Sequence, residues 1–264
     1  MDHARRESAV LSQVIRTVAE TGSTNADMLE LARGGAAEGL WLRAERQTGG
    51  RGRQGRAWNS PEGNLYVSTL VRVRLGEPPA ATLALVASVA LEETVSTFLF
   101  PGEGRGPVSA RSQPGPGLRR GTPVLKWPND ILIDGAKLSG ILLERADDAV
   151  VIGFGVNLAH HPVDLDRPAT SLAAHGPAPD PAIFAETLAE LFARWLSRWR
   201  DGIAPVRERW LARAHPKGTA LTARLSEGSA IDGLFEGLDP QGALILRLAD
   251  GTSRVIHAGD VFLL

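Results

Sequence analysis

Three short runs of this sequence hold residue types that do chemistry. The first, Gln47 to Trp58, reads Q-T-G-G-R-G-R-Q-G-R-A-W and puts four glycines and three arginines into twelve residues. Glycine lets backbone approach a ligand closely and permits positive φ. Arginine supplies a planar donor fork that suits phosphate and carboxylate oxygens. Such a loop attracts an anion and is flexible when empty. The second run, Lys126-Trp127-Pro128-Asn129-Asp130, sets an amide beside a carboxylate behind a turn-fixing proline. Asp130 could hold Mg²⁺ through oxygen, together with substrate phosphates. Equally, Asn129 and Asp130 could cap the turn, with Lys126 solvated. The third is Lys137, at the start of the apolar run Leu138 to Leu143. A charge there can sit at the rim of a buried pocket. Taken alone, a solvated lysine beside the turn Asp134-Gly135 is the simpler account.

Context excludes two phosphate-binding motifs. Gly50-Arg51-Gly52-Arg53-Gln54-Gly55 spells G-x-G-x-x-G, but the dinucleotide fingerprint opens a helix. Here the chain continues Arg56-Ala57-Trp58-Asn59-Ser60-Pro61, which is not helical. No Gly-Lys-Ser/Thr closes a Walker loop. A glycine loop with a purely structural role has no need of three arginines.

The elements that must position these runs follow from patterning. Leu40 to Glu45 reads as a strand leading into the glycine–arginine loop, and Asn64 to Val73 as a second strand. Ala26 to Ala32 is helical, with Ser23 or Thr24 as N-cap and Gly34-Gly35 as its end. Pro78 to Leu99 is a helix, apolar nearly all round and therefore buried. Asp134-Gly135 between Ile131-Leu132-Ile133 and Lys137 to Glu144 signals a hairpin. Ala149 to Leu158 is a further strand whose Gly153 and Gly155 point to close approach of a ligand or backbone. His160 to Pro181 is loop, Pro181 to Arg200 an amphipathic helix, and Pro205 to Ala214 a second one.

His215-Pro216-Lys217-Gly218 marks a boundary between residues 1–215 and 216–264. The second part carries short alternating strands separated by Asp239-Pro240-Gln241-Gly242 and Asp250-Gly251, which suits a small SH3-like barrel. The fold class is α+β, a mixed sheet flanked by helices plus that barrel. Residues 101–123 differ in character: eleven of the twenty-three are Gly or Pro, with four arginines and one acid. They read as a disordered surface insertion.

At 264 residues the chain can bury a sizeable core. A net charge of −1 gives no global pull toward nucleic acid or an acidic membrane. The absence of cysteine removes disulfides, thiolate nucleophiles and Cys-based zinc sites. No signal-peptide core and no membrane-length apolar run is present, so a cytoplasmic protein is expected.

Taken in order, Gly22-Ser23-Thr24-Asn25, Gln47 to Trp58, Lys126 to Asp130, Lys137-Leu138-Ser139-Gly140-Ile141-Leu142 and Gly153-Phe154-Gly155-Val156-Asn157 resemble the biotin protein ligases. The likeness runs from about residue 17 to the end. Some twenty residues precede the first motif, too few for a helix-turn-helix domain, so the form without DNA binding is the one resembled. The family fold is a class II synthetase-like mixed sheet followed by an SH3-like domain.

The resemblance implies an ATP-dependent reaction in two steps. Biotin and ATP give biotinyl-5′-AMP and pyrophosphate, and a lysine of a biotin carboxyl carrier domain then takes the biotin. By the same resemblance, Ser23, Thr24, Asn25 and Gln47 contact biotin, as do Arg51, Gly52 and Arg53 of the loop. Gly140 and Gly155 let the biotin ring lie against backbone. Lys137 bridges biotin's carboxylate and the α-phosphate. Arg53, Arg56, Trp58, Lys126, Asn129 and Asn157 serve the nucleotide, with Mg²⁺ at Asp130. Lys137, Arg53 and Asp130 are the expected catalytic groups. The loop is expected to close as a lid over the adenylate. Members occur as monomers and homodimers, and a sheet edge could serve either a second copy or the carrier domain. A lipoate-type ligase of the same fold is an alternative, disfavoured by Gln47 and the R-G-R-Q-G-R run. A non-catalytic biotin or nucleotide sensor is another, disfavoured by Lys137 and Asp130. The insertion at 101–123 is no family motif.

Overall fold

The computed structural model describes residues 14–101, 121–163, 167–225 and 227–264. Most of the insertion expected at 101–123 lies outside these residues. Twelve strands and four α-helices form two sheets and their cover. In chain order the first part runs β1 (Val14–Thr21), α1 (Thr24–Arg33), β2 (Leu40–Gln47), β3 (Leu65–Arg72), α2 (Leu83–Leu99), β4 (Pro123–Lys126), β5 (Asp130–Ile133), β6 (Ala136–Ala146) and β7 (Ala149–Val156). It closes with α3 (Pro181–Arg200) and α4 (Ala204–Leu211).

The first sheet has the order β1-β2-β3-β7-β6-β5-β4. Only β1 and β2 are parallel, which makes it a mixed sheet. The β5–β6 connection is the expected hairpin: Asp134 and Gly135 take φ of 49° and 81°, the left-handed pair that a two-residue turn demands.

The two faces of this sheet are used differently. Alternation sends Val67, Ile141, Ile152 and Phe154 to one face, where they join Leu91 of α2 and Phe192 of α3 in one continuous core. Trp41 stacks on Phe154 at 5.8 Å and meets Phe192 edge-on at 5.6 Å. By composition α2 could cross a membrane, yet 67% of that stretch is buried within the protein, as the all-round apolar pattern required. The opposite face carries only α1, ten residues long, whose Met28 and Ala32 pack on Leu42, Leu70 and Val151. So short a helix covers one end of the face and leaves the rest for a site.

The second part is a five-stranded antiparallel sheet of the SH3-like kind, order β11-β10-β9-β8-β12. Its strands are β8 (Ala220–Arg224), β9 (Ala230–Leu238), β10 (Leu244–Arg247), β11 (Ser253–Ile256) and β12 (Asp260–Leu263). It is fastened to the first part by buried groups: Trp127 Nε1 donates to the Gly242 carbonyl at 3.2 Å, and Trp210 of α4 meets Phe235 at 6.5 Å.

Several element ends differ from the sequence-based expectation. The helix expected from Pro78 starts at Leu83, after a 3-10 turn over Ala80–Thr82. The helix expected over Pro205 to Ala214 spans Ala204–Leu211. Ser23 occupies the N-cap position of α1, but its hydroxyl makes no capping bond. Strands β1 and β12 had no expectation attached to them.

Candidate active site

One cross-strand row organises the open face. Ala44 on β2 pairs with Tyr66 on β3, Tyr66 with Gly155 on β7, Gly155 with Gly140 on β6, Gly140 with Asp130 on β5, and Asp130 with Lys126 on β4. Residues paired across strands point to the same face. The row therefore runs from an aromatic, over two bare backbones, to a carboxylate and a lysine.

The charged end is compact. Asp130 Oδ1 lies 2.6 Å from Lys137 Nζ, and its Oδ2 lies 3.1 Å from Lys126 Nζ. Burial alone raises the Asp130 carboxyl, but the two ammonium groups outweigh it and hold the group below the usual carboxylate range. Burial lowers the Lys126 ammonium, opposed by Asp130. Two cations facing one anion leave a net positive charge beside the glycine pair. His215 borders this end, where burial and then Lys126 push its imidazole down to about 4, so it is neutral.

The Trp58 indole lies on the glycine pair. A Cβ on Gly155 would meet Trp58 Cε2 at 2.7 Å, and one on Gly140 would meet Cζ3 at 3.3 Å. Lys137 Nζ stands 5.6 Å from the centre of that ring. Trp58 Nε1 is buried and has no hydrogen-bond partner among the described residues, a cost of about 1–3 kcal/mol that a ligand acceptor or a movement of the ring would relieve.

One row further toward α1, the site is polar. Asn25 Oδ1 accepts from Ser68 Oγ at 2.7 Å, and Asn25 Nδ2 donates to Glu144 Oε2 at 2.8 Å. Ser68 Oγ also lies 2.8 Å from Thr24 Oγ1. Thr24 N–H donates to Gln47 Oε1 at 2.9 Å, and Gln47 Nε2 donates to Ser60 Oγ at 3.1 Å. Gly153, paired with Ser68 on one side and Leu142 on the other, makes room for Asn25; any Cβ there would overlap its Oδ1. A ligand or backbone was expected close to both strand glycines; the structure instead places side chains there, Trp58 at Gly155 and Asn25 at Gly153.

The glycine–arginine loop is folded as a tight hairpin. Arg51 bridges Ala57, Gly52 N–H donates to the Arg56 carbonyl at 2.8 Å, and Trp58 N–H to the Gly50 carbonyl at 2.9 Å. Gln54 and Gly55 turn it with φ of 57° and 70°. Two of its arginines reach the second sheet. Arg53 lies 3.3 Å from Asp260 and donates to the Gly259 carbonyl at 3.1 Å, and Arg56 also pairs with Asp260. Arg51 is exposed, with no side-chain partner among the described residues.

Apart from Ser23 at the N-cap of α1 and Arg51, Gly52, Arg53 and Arg56 on the loop, the expected residues fall into two groups. Thr24, Asn25, Gln47, Trp58, Lys126, Asp130, Lys137, Gly140 and Gly155 lie on or around the open face. Asn129 and Asn157 serve the framework: Asn129 Nδ2 donates to the Ile141 carbonyl, and Asn157 Nδ2 donates to the Thr170 carbonyl at 3.0 Å. Asn129 Oδ1 still accepts from Arg53 at 3.4 Å. Ser68, Ser60, Glu144 and Asp260 belong to the same constellation and have no sequence motif of their own.

Asp130 is engaged by two lysines, and no group of three His, Cys, Asp or Glu side chains suited to a metal occurs among the described residues, so a magnesium ion at Asp130 would take its remaining ligands from substrate phosphates and water.

Comparison with known proteins gives the family of the chain. Residues 21–157 match the model of the biotin/lipoate A/B protein ligase family, and residues 220–264 that of the biotin protein ligase C-terminal domain. The chain is 38% identical over 257 residues to a biotin–[acetyl-CoA-carboxylase] ligase of Paracoccus denitrificans, covering 93% of this chain and 98% of the relative. A protein of the same name from Mycobacterium tuberculosis is 37% identical, with 92% and 86% covered. Among solved structures, a biotin protein ligase from Aquifex aeolicus in complex with biotin and ATP superposes with a TM-score of 0.78 at 25% identity, covering 95% of this chain and 99% of that one.

Proposed function

This chain belongs to the biotin/lipoate A/B protein ligase family, and on that premise we propose that it activates biotin with ATP and passes it to a lysine of a carboxylase carrier domain. A relative from Leishmania major has been solved with biotinyl-5-AMP, the intermediate that such a reaction requires.

The observation that carries the reading is the position of Lys137. Its ammonium lies between the polar pocket under α1 and the Lys126–Asp130 pair, at the edge of the glycine ledge. In the first step a biotin carboxylate oxygen bonds to the α-phosphorus as the bond to the β-phosphate breaks and pyrophosphate leaves with its electron pair. Two unit charges about 4 Å apart repel by roughly 4 kcal/mol at an effective dielectric near 20. The carboxylate approaches a polyphosphate, so more than one cation is needed. Lys137 and Lys126 supply two fixed ones, and Arg53 and Arg56 stand across the cleft. Asp130 aims both ammonium groups.

Biotin divides into an apolar bicycle with a polar ureido edge and an acidic tail. The hydroxyl and amide groups of Thr24, Asn25, Gln47 and Ser68 suit the ureido edge, and the bare backbone of Gly140 and Gly155 suits a flat body. A dithiolane ring, as in lipoate, has no N–H or carbonyl for that polar set. We read Trp58 as leaving the ledge when ligand arrives, with its loop folding over the mixed anhydride and keeping water out. In the second step the neutral amine of the carrier lysine attacks the anhydride carbonyl, and AMP departs. The division into a catalytic part ending near residue 215 and a C-terminal part, and a cytoplasmic location, belong to the same reading.

The test is pyrophosphate exchange with biotin, lipoate or octanoate, followed by the intact mass of a carrier domain. Exchange and a single added biotin are expected with biotin alone. Exchange with lipoate and none with biotin would overturn the assignment.

A further inference from the structure

Glu144 is a carboxylate on β6 with no ion-pair partner among the described residues, and its hydrogen bond is to Asn25 Nδ2 at 2.8 Å. Its cross-strand neighbour is the apolar Val151. Nothing in the framework calls for a half-buried acid at this position.

The chain of hydrogen bonds under α1 gives it a task. Thr24 and Ser68 are hydroxyls, which donate or accept equally well, and an amide can be turned over to match either pattern. Glu144 is different, because a carboxylate only accepts. With the longer contact from Asn25 Nδ2 to the Leu142 carbonyl at 3.5 Å, it holds Asn25 with Nδ2 toward β6 and Oδ1 toward Ser68, and the Glu144 bond is the shorter of the two. Ser68 must then donate its one proton to Asn25 Oδ1, at 2.7 Å, which leaves its lone pairs to accept from Thr24 Oγ1 at 2.8 Å. The Thr24 proton goes to Ser68 or to Gln47 Oε1 at 3.2 Å, protein acceptors in either case. The outcome is a pocket wall that offers lone pairs at Thr24. Were Asn25 turned over, Ser68 would turn its proton to Thr24 Oγ1 and occupy a lone pair that the wall otherwise offers, while the Thr24 proton would stay with Gln47 Oε1.

We propose that Glu144 is a positioning residue that sets the polarity of the biotin pocket through Asn25, so that the wall accepts from a ureido N–H. This rests on the biotin reading above. Asn25 Oδ1 fills the space above the bare backbone of Gly153, where a Cβ would meet it at 2.2 Å.

The experiment compares Glu144→Gln, which keeps an acceptor oxygen, with Glu144→Met, which keeps the unbranched bulk without one. Biotin affinity is measured by calorimetry and KM by pyrophosphate exchange. Glu144→Met is expected to weaken biotin binding about tenfold or more, with the effect on KM larger than on kcat, and Glu144→Gln to stay within about threefold of the parent. Adding Glu144→Met to Asn25→Ala should produce no further loss. Equal loss in the Met and Gln variants, wild-type affinity in Glu144→Met, or additive losses in the double variant would overturn the proposal. A parent protein without biotin affinity would instead overturn the biotin reading itself.

Discussion

Arg53 and Asp260 lie 3.3 Å apart although 207 residues separate them, and Asp260 holds Arg56 as well. The loop over the ledge is therefore tied to the last strand of the C-terminal sheet. Asp260→Ala should loosen the loop without unfolding the protein, because partly exposed pairs contribute only about 0–1 kcal/mol each. Free adenylate released per carrier biotinylated is expected to rise several-fold. Chromatography of the nucleotide products measures it, and an unchanged ratio would show that the tie has no part in retaining the intermediate.

Lys137→Ala should cost about 10²–10³ in the first step, the usual loss when one preorganised electrostatic donor is removed. Pyrophosphate exchange reports that step. Transfer from chemically prepared biotinyl-5′-AMP should suffer less, since no polyphosphate is present.

The two strand glycines should behave differently when given a methyl group. At Gly153 the obstacle is Asn25 Oδ1, whose side chain is held by Ser68 and Glu144. Gly153→Ala should therefore cost about 1–3 kcal/mol of stability and raise the KM for biotin. At Gly155 the obstacle is an indole on a surface loop, which can swing away. Gly155→Ala should leave stability nearly intact and shift tryptophan emission to longer wavelength. Urea denaturation and fluorescence separate the two.

His215 supplies a pH dependence. Its imidazole falls from 6.5 to about 4 on folding, so the unfolded chain binds the proton more tightly. Stability is complete above about pH 6.5 and declines as the pH falls toward 4, by up to about 3 kcal/mol. Other carboxylates will add their own slopes. The specific expectation is that His215→Leu flattens the pH 7–5 limb of the denaturation free energy relative to the parent.

Much of the fold was legible because periodicity and turn residues are local signals. The hairpin at Asp134-Gly135, the buried α2 and the stripe of α3 follow from them directly. β1 escaped because its sequence, V-I-R-T-V-A-E-T, is largely exposed along an edge and has little apolar alternation to read. The chemistry divided in the same way. Lys126, Asp130 and Lys137 stand out as charges beside apolar runs. Ser68 and Glu144 are polar positions within otherwise apolar strands, and their partner Asn25 is 43 and 119 residues away. Asp260 is further still from its arginines. Register and domain packing, neither written locally, are what bring these residues together.

The row from β3 to β4 also fixes a length. Ser68 on β3 and Asp130 on β5 are separated by three strand spacings, about 14 Å across the strands at roughly 4.8 Å each, and by a two-residue offset along them. Neither Ser68 nor the lysine–aspartate pair can slide without breaking a ladder, so on the proposed reading the sheet acts as a caliper set to one acid. Homologues of biotin with a methylene more or less in the side chain carry the same ring and the same carboxylate. They should bind the pocket yet exchange pyrophosphate poorly, because the reacting oxygen stops short of Lys137 or overshoots it.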